Sequence, residues 1–353
     1  MHCMTDELRR PDSIAPAPAL EQIRRPNRWD MGKPMEATIT RRHCLGRIGR
    51  AGMATTLLPG LLASCAQPIT RLSLDSNDRL VELDSGRDIT RAELMRQMAG
   101  SRFLLLGELH DNTWHHRRRA ALLQELAGMA RPAVVAEHLT RSRQASREGE
   151  LLPALQAAGF DPQGWQWPLH QPLFDALRQA NLPLQGGNLP AELARRIARE
   201  GAGAVPTDLA ELLARTELDD PSRSSLDSDL RDGHCGHLPE SRLPAMRLAQ
   251  RARDAAMAQA LLASTGRPAV LLAGNGHVRQ DWGVGRILRT LQPQEGCLSV
   301  LFGERGSDDA ATIRDSRGAA THLWLTAAVH RENPCATMPV MRRPPAPPRE
   351  QAR

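Results

Sequence analysis

The sequence predicts an α/β fold: a mainly parallel sheet flanked by helices, with a smaller helical insertion subdomain. Three observations predict it. Short apolar runs recur at 103–106, 133–136, 182–185, 269–273, 298–302 and 323–326, each bounded by Gly, Pro or polar residues, as buried strands are. Longer amphipathic stretches alternate with them, the pattern of a parallel sheet covered on both faces. Polar side chains gather just past several of these runs, where open α/β sheets place their ligands.

Along the chain, residues 1–50 are Pro- and Arg-rich and carry about +4 of the formal net charge of +6. A nucleic-acid binder needs its cationic excess on the folded part, so no nucleic-acid partner is expected. Lys33 is the single lysine, and this bias toward arginine is not itself a sign of anion binding. Residues 51–64 turn small and apolar behind the basic stretch 41–50. That is the layout of a secretory signal, and it is too short to span a bilayer as a helix. The segment closes on Leu62-Ala63-Ser64-Cys65, which resembles the lipobox of bacterial lipoproteins and makes Cys65 the expected lipidation site. Thr40-Arg41-Arg42-His43-Cys44-Leu45 is similar to a twin-arginine signal, and Sec and Tat export both stay open. Residues 1–64 are therefore read as an N-terminal extension plus signal peptide, with the lipobox at 62–65, and 65–84 as a linker.

The strand 103–106 is followed by 115–129, where Leu122, Leu123 and Leu126 fall at helical spacing and Asp111 or Asn112 can cap the start. Between the strands at 182–185 and 269–273, the stretches 191–200, 208–214 and 243–263 read as helices. That span is too long for one crossover. It defines a helical insertion, 188–262, within an α/β domain made of 85–187 and 263–330, and 331–353 reads as a disordered tail. Of six cysteines, Cys3 and Cys44 belong to the leader and Cys65 to the lipobox. Cys235, Cys297 and Cys335 remain without CxxC spacing, so no structural zinc site is indicated, and pairing of Cys235 with Cys297 is left open.

The strand ends supply the candidate site. Glu108 and His110 follow the first strand within Gly107-Glu108-Leu109-His110, Glu137 and His138 end the second, and Asn188 follows the third. Asn275 and His277 follow the fourth within Gly274-Asn275-Gly276-His277, whose glycines predict a tight turn or a close backbone approach. Glu108, His110, Glu137, Asn188, Asn275 and His277 are the ligand-binding candidates. His110 and His277, with His234 and Cys235 of the insertion, are the metal candidates. Adjacent His115 and His116 diverge by about 100° on a helix, so one is expected to face the pocket and the other solvent.

Taken in order, FLLLGELHDNTWHH, VVAEH, GGNLPAELARRIAREG, HCGHLPE, QRARDAAMAQAL, LLAGNGHVRQDWGVGRIL and HLWLT give a specific pattern over roughly 85–326. By these motifs the chain resembles the ChaN family of haem-binding uptake lipoproteins, within a superfamily that includes TraB-, Tiki- and erythromycin-esterase-like proteins. The resemblance implies a parallel-sheet α/β domain with a smaller helical part. It also implies haem as cofactor, held between two subunits in a homodimer, with a tyrosine on the iron and a histidine assisting. This chain contains no tyrosine. Its axial ligand is left among His110, His115, His116, His234, His237, His277 and Cys235. The implied function is an exported lipoprotein that binds haem, or a related iron or tetrapyrrole ligand, in haem or iron uptake. A lipid anchor would hold it to the membrane in the cell envelope, and Ala66 after the cysteine is compatible with the outer membrane, facing the periplasm. The wider superfamily implies an alternative: a peptidase- or esterase-like hydrolase using a divalent metal, with Glu108 or Glu137 as general base and His110 and His277 on the metal.

Overall fold

The computed structural model describes residues 77–336; the leader, the lipobox with Cys65, and the chain beyond 336 lie outside the described residues. Strands β1 (Arg79–Glu82) and β2 (Arg87–Asp88) open the fold, followed by α1 (Arg91–Gly100), β3 (Phe103–Leu106), α2 (Thr113–Ala127) and β4 (Ala133–Thr140). Next come α3 (Leu151–Ala157), α4 (Gln171–Gln179), β5 (Leu184–Asn188), α5 (Ala191–Glu200), α6 (Thr207–Arg215), α7 (Asp220–Gly233) and α8 (Leu243–Ala263). The chain finishes with β6 (Ala269–Leu272), α9 (Asn275–Val278), α10 (Val284–Leu291), β7 (Cys297–Glu304), α11 (Asp309–Asp315) and β8 (His322–Thr326).

The eight strands of the described residues form one sheet in the order β2-β1-β8-β7-β3-β6-β4-β5. The six from β8 to β5 run parallel, whereas β1 pairs antiparallel with both β2 and β8. All six apolar runs of the sequence are strands, and the sheet lies between two cores as fully buried parallel strands require. Along β3, Leu104 and Leu106 pack with α1, α2 and α4, while Phe103 and Leu105 pack with α8 and α10 on the other face. The period of two in the strand thus sends alternate side chains of one apolar run into separate cores.

Several boundaries differ from the sequence reading. β1 lies inside the stretch read as a linker, and it enters the sheet because Leu80 and Val81 are buried beside β8. Helix α1 gives little apolar periodicity; its start is a capping box, with the Thr90 hydroxyl accepting from the Glu93 N–H (3.2 Å) and the Glu93 carboxylate from the Thr90 N–H (2.6 Å). β4 continues to Thr140, so Glu137 and His138 lie inside it rather than at its end, and β5 runs to Asn188, which ends the strand rather than following it. Within the helical insertion, α8 is itself a crossover: it packs on β4, β5 and β6, and Ala252, Ala255, Met257 and Leu261 join the core of that face. Only around α7 does the insertion have a small core of its own, formed by Leu218, Leu226, Leu230, Leu238, Leu243 and Trp282.

Residues 331–336, which the sequence assigns to a tail, are fastened. Arg331 pairs with Asp111 (2.6 Å) and with Glu304 (2.7 Å), and Cys335 forms a disulfide with Cys235 across a Cα–Cα distance of 5.5 Å. The pairing of Cys235 with Cys297, left open above, is therefore not the one formed; Cys297 is a free thiol on β7. Among the described residues no helix is long and apolar enough to cross a membrane.

Candidate functional site

Two buried carboxylates, one past β3 and one near the end of β4, organise the polar residues at the carboxyl ends of the strands. Glu108 is 1% exposed, and its two oxygens face different partners. Oε1 looks toward three imidazoles: His110 Nδ1 at 2.7 Å, His138 Nε2 at 3.1 Å and His170 Nε2 at 3.4 Å. Oε2 meets His116 Nδ1 at 3.0 Å and pairs with the fully buried guanidinium of Arg119.

These side chains converge through the local fold. His116 and Arg119 stand three residues apart on α2, whose first turn is fixed by Asn112 accepting from the Trp114 N–H (2.9 Å). His138 comes from β4, and His170 comes from the residue preceding α4. Carbonyl partners fix two ring tautomers. A carbonyl only accepts, so His170 Nδ1 donates to Trp165 O (3.1 Å) and His116 Nε2 donates to His110 O (3.0 Å). His116 Nδ1 then accepts from Arg119 (3.0 Å), while His170 Nε2 presents a lone pair toward Glu108. Burial keeps His116 uncharged down to about 4, and it also lowers His138 and His170, with neighbouring cationic groups adding to the effect.

Glu137 anchors the second network. Its Oε1 accepts from Arg253 (2.5 Å) and lies 3.2 Å from His277 Nε2, and its Oε2 accepts from the Gly274 N–H (2.7 Å). His277 Nδ1 lies 2.5 Å from Asp254 Oδ1, and Arg253 also donates to Asn188 Oδ1 (3.0 Å). Burial opposes charging His277, but the flanking carboxylates of Glu137 and Asp254 outweigh it and raise its pKa. Burial likewise opposes ionisation of Glu137, yet His277 and Arg253 hold its carboxyl well below the usual range. Asp254 is raised by burial. The product is a hydrogen-bonded carboxylate–imidazole–carboxyl chain from β4 through α9 to α8.

Gly274 is where the two networks touch. A Cβ there would stand 2.8 Å from His110 Nε2 and 3.6 Å from Glu137 Oε2, so only glycine lets this turn lie against the His110 ring. The His110 side chain is 46% exposed, in contrast to the closed groups beneath it, and Trp165 packs edge-on against it at 5.0 Å. A surface hollow of about 210 Å³ is lined by Glu217, Leu218, Arg223, Arg247 and Arg251 and shares no residue with either network.

The structure thus brings Glu108, His110, Glu137, Asn188 and His277 to one rim, and it revises four readings. Asn275 is not turned to a ligand: its side chain donates to Phe302 O (2.6 Å) and accepts from Phe302 N–H (3.0 Å), extending the pairing edge of β7 past the end of β3. His115 and His116 are both buried, because His115 accepts from the Leu109 N–H (2.9 Å) and donates to Gly303 O (3.2 Å) on the opposite side of α2, so neither faces solvent. Cys235 is consumed by its disulfide and is no metal ligand, and His234 spends Nδ1 on Leu230 O (2.7 Å) at the end of α7. His277 has both ring nitrogens engaged by carboxylates. Among the described residues, one group of three or more His, Cys, Asp or Glu donors converges at metal-binding separation. It consists of Glu108, His110, His138 and His170, and contains none of His277, His234 and Cys235.

Sequence reasoning missed His170 and Arg119. The aromatic run Trp165-Gln166-Trp167 just before His170 was the signal available for the first. For Arg119, the signal was its place three residues after His116 on an amphipathic helix.

A family profile described as haem-binding uptake, Tiki superfamily, ChaN matches residues 94–288, more than half of the chain. The structure is similar to one described as cofacial heme binding to ChaN of Campylobacter jejuni, with a TM-score of 0.58 and 17% identity over 70% of this chain and 97% of that one. An open-conformation erythromycin esterase mutant also aligns, over 73% of this chain and 99% of its own, at 13% identity and a TM-score of 0.42. No curated protein matches this chain in sequence. At these identities the structural likeness speaks for the fold alone, and the profile carries the assignment: the chain belongs to the haem-binding uptake family of the Tiki superfamily represented by ChaN.

Proposed function

We propose that this protein is an exported lipoprotein that binds haem, or a related iron–tetrapyrrole, through His110 and serves haem or iron uptake. The observation that carries the reading is the state of His110 in a chain that belongs to a haem-binding family and has no tyrosine. Its Nδ1 is tied to the buried Glu108, its ring is half exposed, and Nε2 is left as an imidazole lone pair. A carboxylate behind an iron-binding imidazole fixes its tautomer and raises its basicity. Of the other axial candidates, His115, His116 and His277 are buried with both nitrogens engaged and Cys235 is in a disulfide, while His234 and His237, just after α7, belong to neither carboxylate network.

The residues present fit an axial ligand and one aromatic wall, Trp165, but little more of a porphyrin cradle. Among the described residues Met129, 54% exposed at the far end of α2, is the large hydrophobic side chain that stands exposed. Haem on His110 would therefore leave one face open, and a second haem-bearing copy of this chain would cover it. The solved ChaN relative, described as binding heme cofacially, supports that arrangement. Lipidation at Cys65 and placement in the outer membrane facing the periplasm belong to the same reading and rest on the lipobox pattern.

Hemin titrated into the purified protein should give a saturable Soret shift that is lost in His110→Ala and kept in His234→Ala. A wild-type spectrum no different from free hemin at micromolar protein would defeat the reading. The hydrolytic alternative gains less from the geometry. A general base needs a free lone pair and a pKa near the working pH. Glu137 is held well below its usual range by His277 and Arg253, and Glu108 is enclosed by Arg119 and four imidazoles.

A further inference from the structure

We propose that Glu108, His110, His138 and His170 form a mononuclear site for a first-row divalent transition metal, distinct from the Glu137–His277–Asp254 chain. The four donor atoms lie within 4.8 Å of one another, and Glu108, His138 and His170 are buried. In a tetrahedral site with bonds of about 2.0–2.1 Å, donors stand roughly 3.3 Å apart, so small side-chain adjustments close this set on an ion.

The hydrogen-bond inventory requires something more than these side chains. Glu108 Oε1 has two lone pairs but faces three imidazole nitrogens. His110 and His138 can each donate an N–H to it. His170 cannot, because its one proton is committed to Trp165 O through Nδ1, and its Nε2 lone pair points at the carboxylate oxygen. Two facing lone pairs in a buried site repel, and a cation between them converts that repulsion into two bonds. His138 Nδ1 is a buried ring nitrogen with no hydrogen-bond partner.

The surroundings supply the support that metal ligands need. Trp165 O fixes the His170 tautomer, and the buried Arg119 guanidinium pairs with Oε2 so that Oε1 turns to the imidazoles. Three imidazoles and one carboxylate suit zinc, iron or nickel better than calcium or magnesium. Glu137 and His277 do not contribute, since each is saturated within its own network.

The site also bears on haem. A metal on His110 Nδ1 places the ring proton on Nε2, so metal and iron–porphyrin occupy alternative states of one imidazole. The test uses chelator-stripped, full-length protein, with Zn2+ titrated by calorimetry and Co2+ by its visible d–d absorption. One equivalent of each should bind, and the intensity of the Co2+ bands should report a low-coordinate nitrogen–oxygen site. His138→Ala and His170→Ala should each weaken Zn2+ by more than the roughly 10–100-fold that outer-shell changes cost, with His234→Ala unchanged. If either site variant proves unfolded, the wild-type Co2+ spectrum decides by itself. Stripped wild-type protein that takes up neither ion overturns the proposal, as does unweakened Zn2+ binding by the folded variants. Hemin is then titrated with and without Zn2+. Hemin binding in protein that refuses Zn2+ removes the metal site and leaves the haem reading intact. Zn2+ binding without hemin binding does the reverse, and weaker hemin binding by the Zn2+-loaded form supports the shared imidazole.

Discussion

Replacing Asn275 by alanine tests whether the second glycine-bounded motif is scaffold or binding site. Asn275 makes two hydrogen bonds to the backbone of Phe302, whose residue is fully buried. Truncation strands one N–H and one carbonyl, each costing about 1–3 kcal/mol, so the variant should lose roughly 2–6 kcal/mol. A second change reports on the same contact from the other side. A Cβ on Gly107 would collide with Asn275 Oδ1, with Val300 O at 3.0 Å and Val278 Cγ2 at 3.1 Å. Gly107→Ala therefore has to displace the Asn275 side chain, and part of its cost vanishes once that side chain is gone. Urea unfolding of the oxidised protein at neutral pH, followed by circular dichroism, should show the double variant less destabilised than the sum of the singles by about 1–3 kcal/mol. Additivity within about 0.5 kcal/mol would show that the two residues are not coupled and refute the assignment of Asn275 to the β7 edge.

Acid should destabilise the fold through its buried neutral histidines. His115 and His116 are held at about 4 by burial against an ordinary 6.5, so the unfolded chain takes up protons that the native state refuses. Their contribution is complete above about 6.5 and lost as pH falls toward 4, about 3 kcal/mol for each ring. His277, raised instead, contributes in the opposite sense, with its share present in acid and lost on the alkaline side. Urea midpoints that stay level from pH 7 to 4.5 in wild type, and that do not change in slope in His115→Gln, would contradict this. The Cys235–Cys335 disulfide closes a loop with a sequence separation of 100, so Cys335→Ser should cost about 2–4 kcal/mol, and reductant should lower the wild-type melting temperature but not the variant's. Equal melting temperatures with and without reductant would argue against the bridge. Cys297, its thiol pushed up to about 12 by burial, should resist alkylation at pH 8 while the protein is folded and react once it is unfolded. Mass mapping of the peptide that carries Cys297 reads this directly, and rapid labelling of folded protein would disprove it.

The sequence by itself determined the layers and the rim. Six short, mostly apolar runs read as buried strands, and all six enter the sheet, because burial on both faces imposes a composition that needs no knowledge of neighbours. Glu108, Glu137 and His277 were legible for a related reason: charged groups that end such runs lie where parallel sheets gather their loops. The tertiary structure decided everything that depends on which atoms meet. It placed α8 on the sheet, although the length of 188–262 suggested an insertion apart, because its alanine face packs closely on β4, β5 and β6. It turned Asn275 from the rim to the β7 edge and buried both His115 and His116, since the solvent face of α2 is narrow, at Arg117, Gln124 and Glu125, and both imidazoles fall outside it. It also paired Cys235 with a residue 100 positions away and brought His170 and Arg119 to Glu108, contacts with no periodicity for a sequence to carry. Burial and strand ends are local properties of the chain. The company each carboxylate keeps depends on how four separate segments are folded onto one edge.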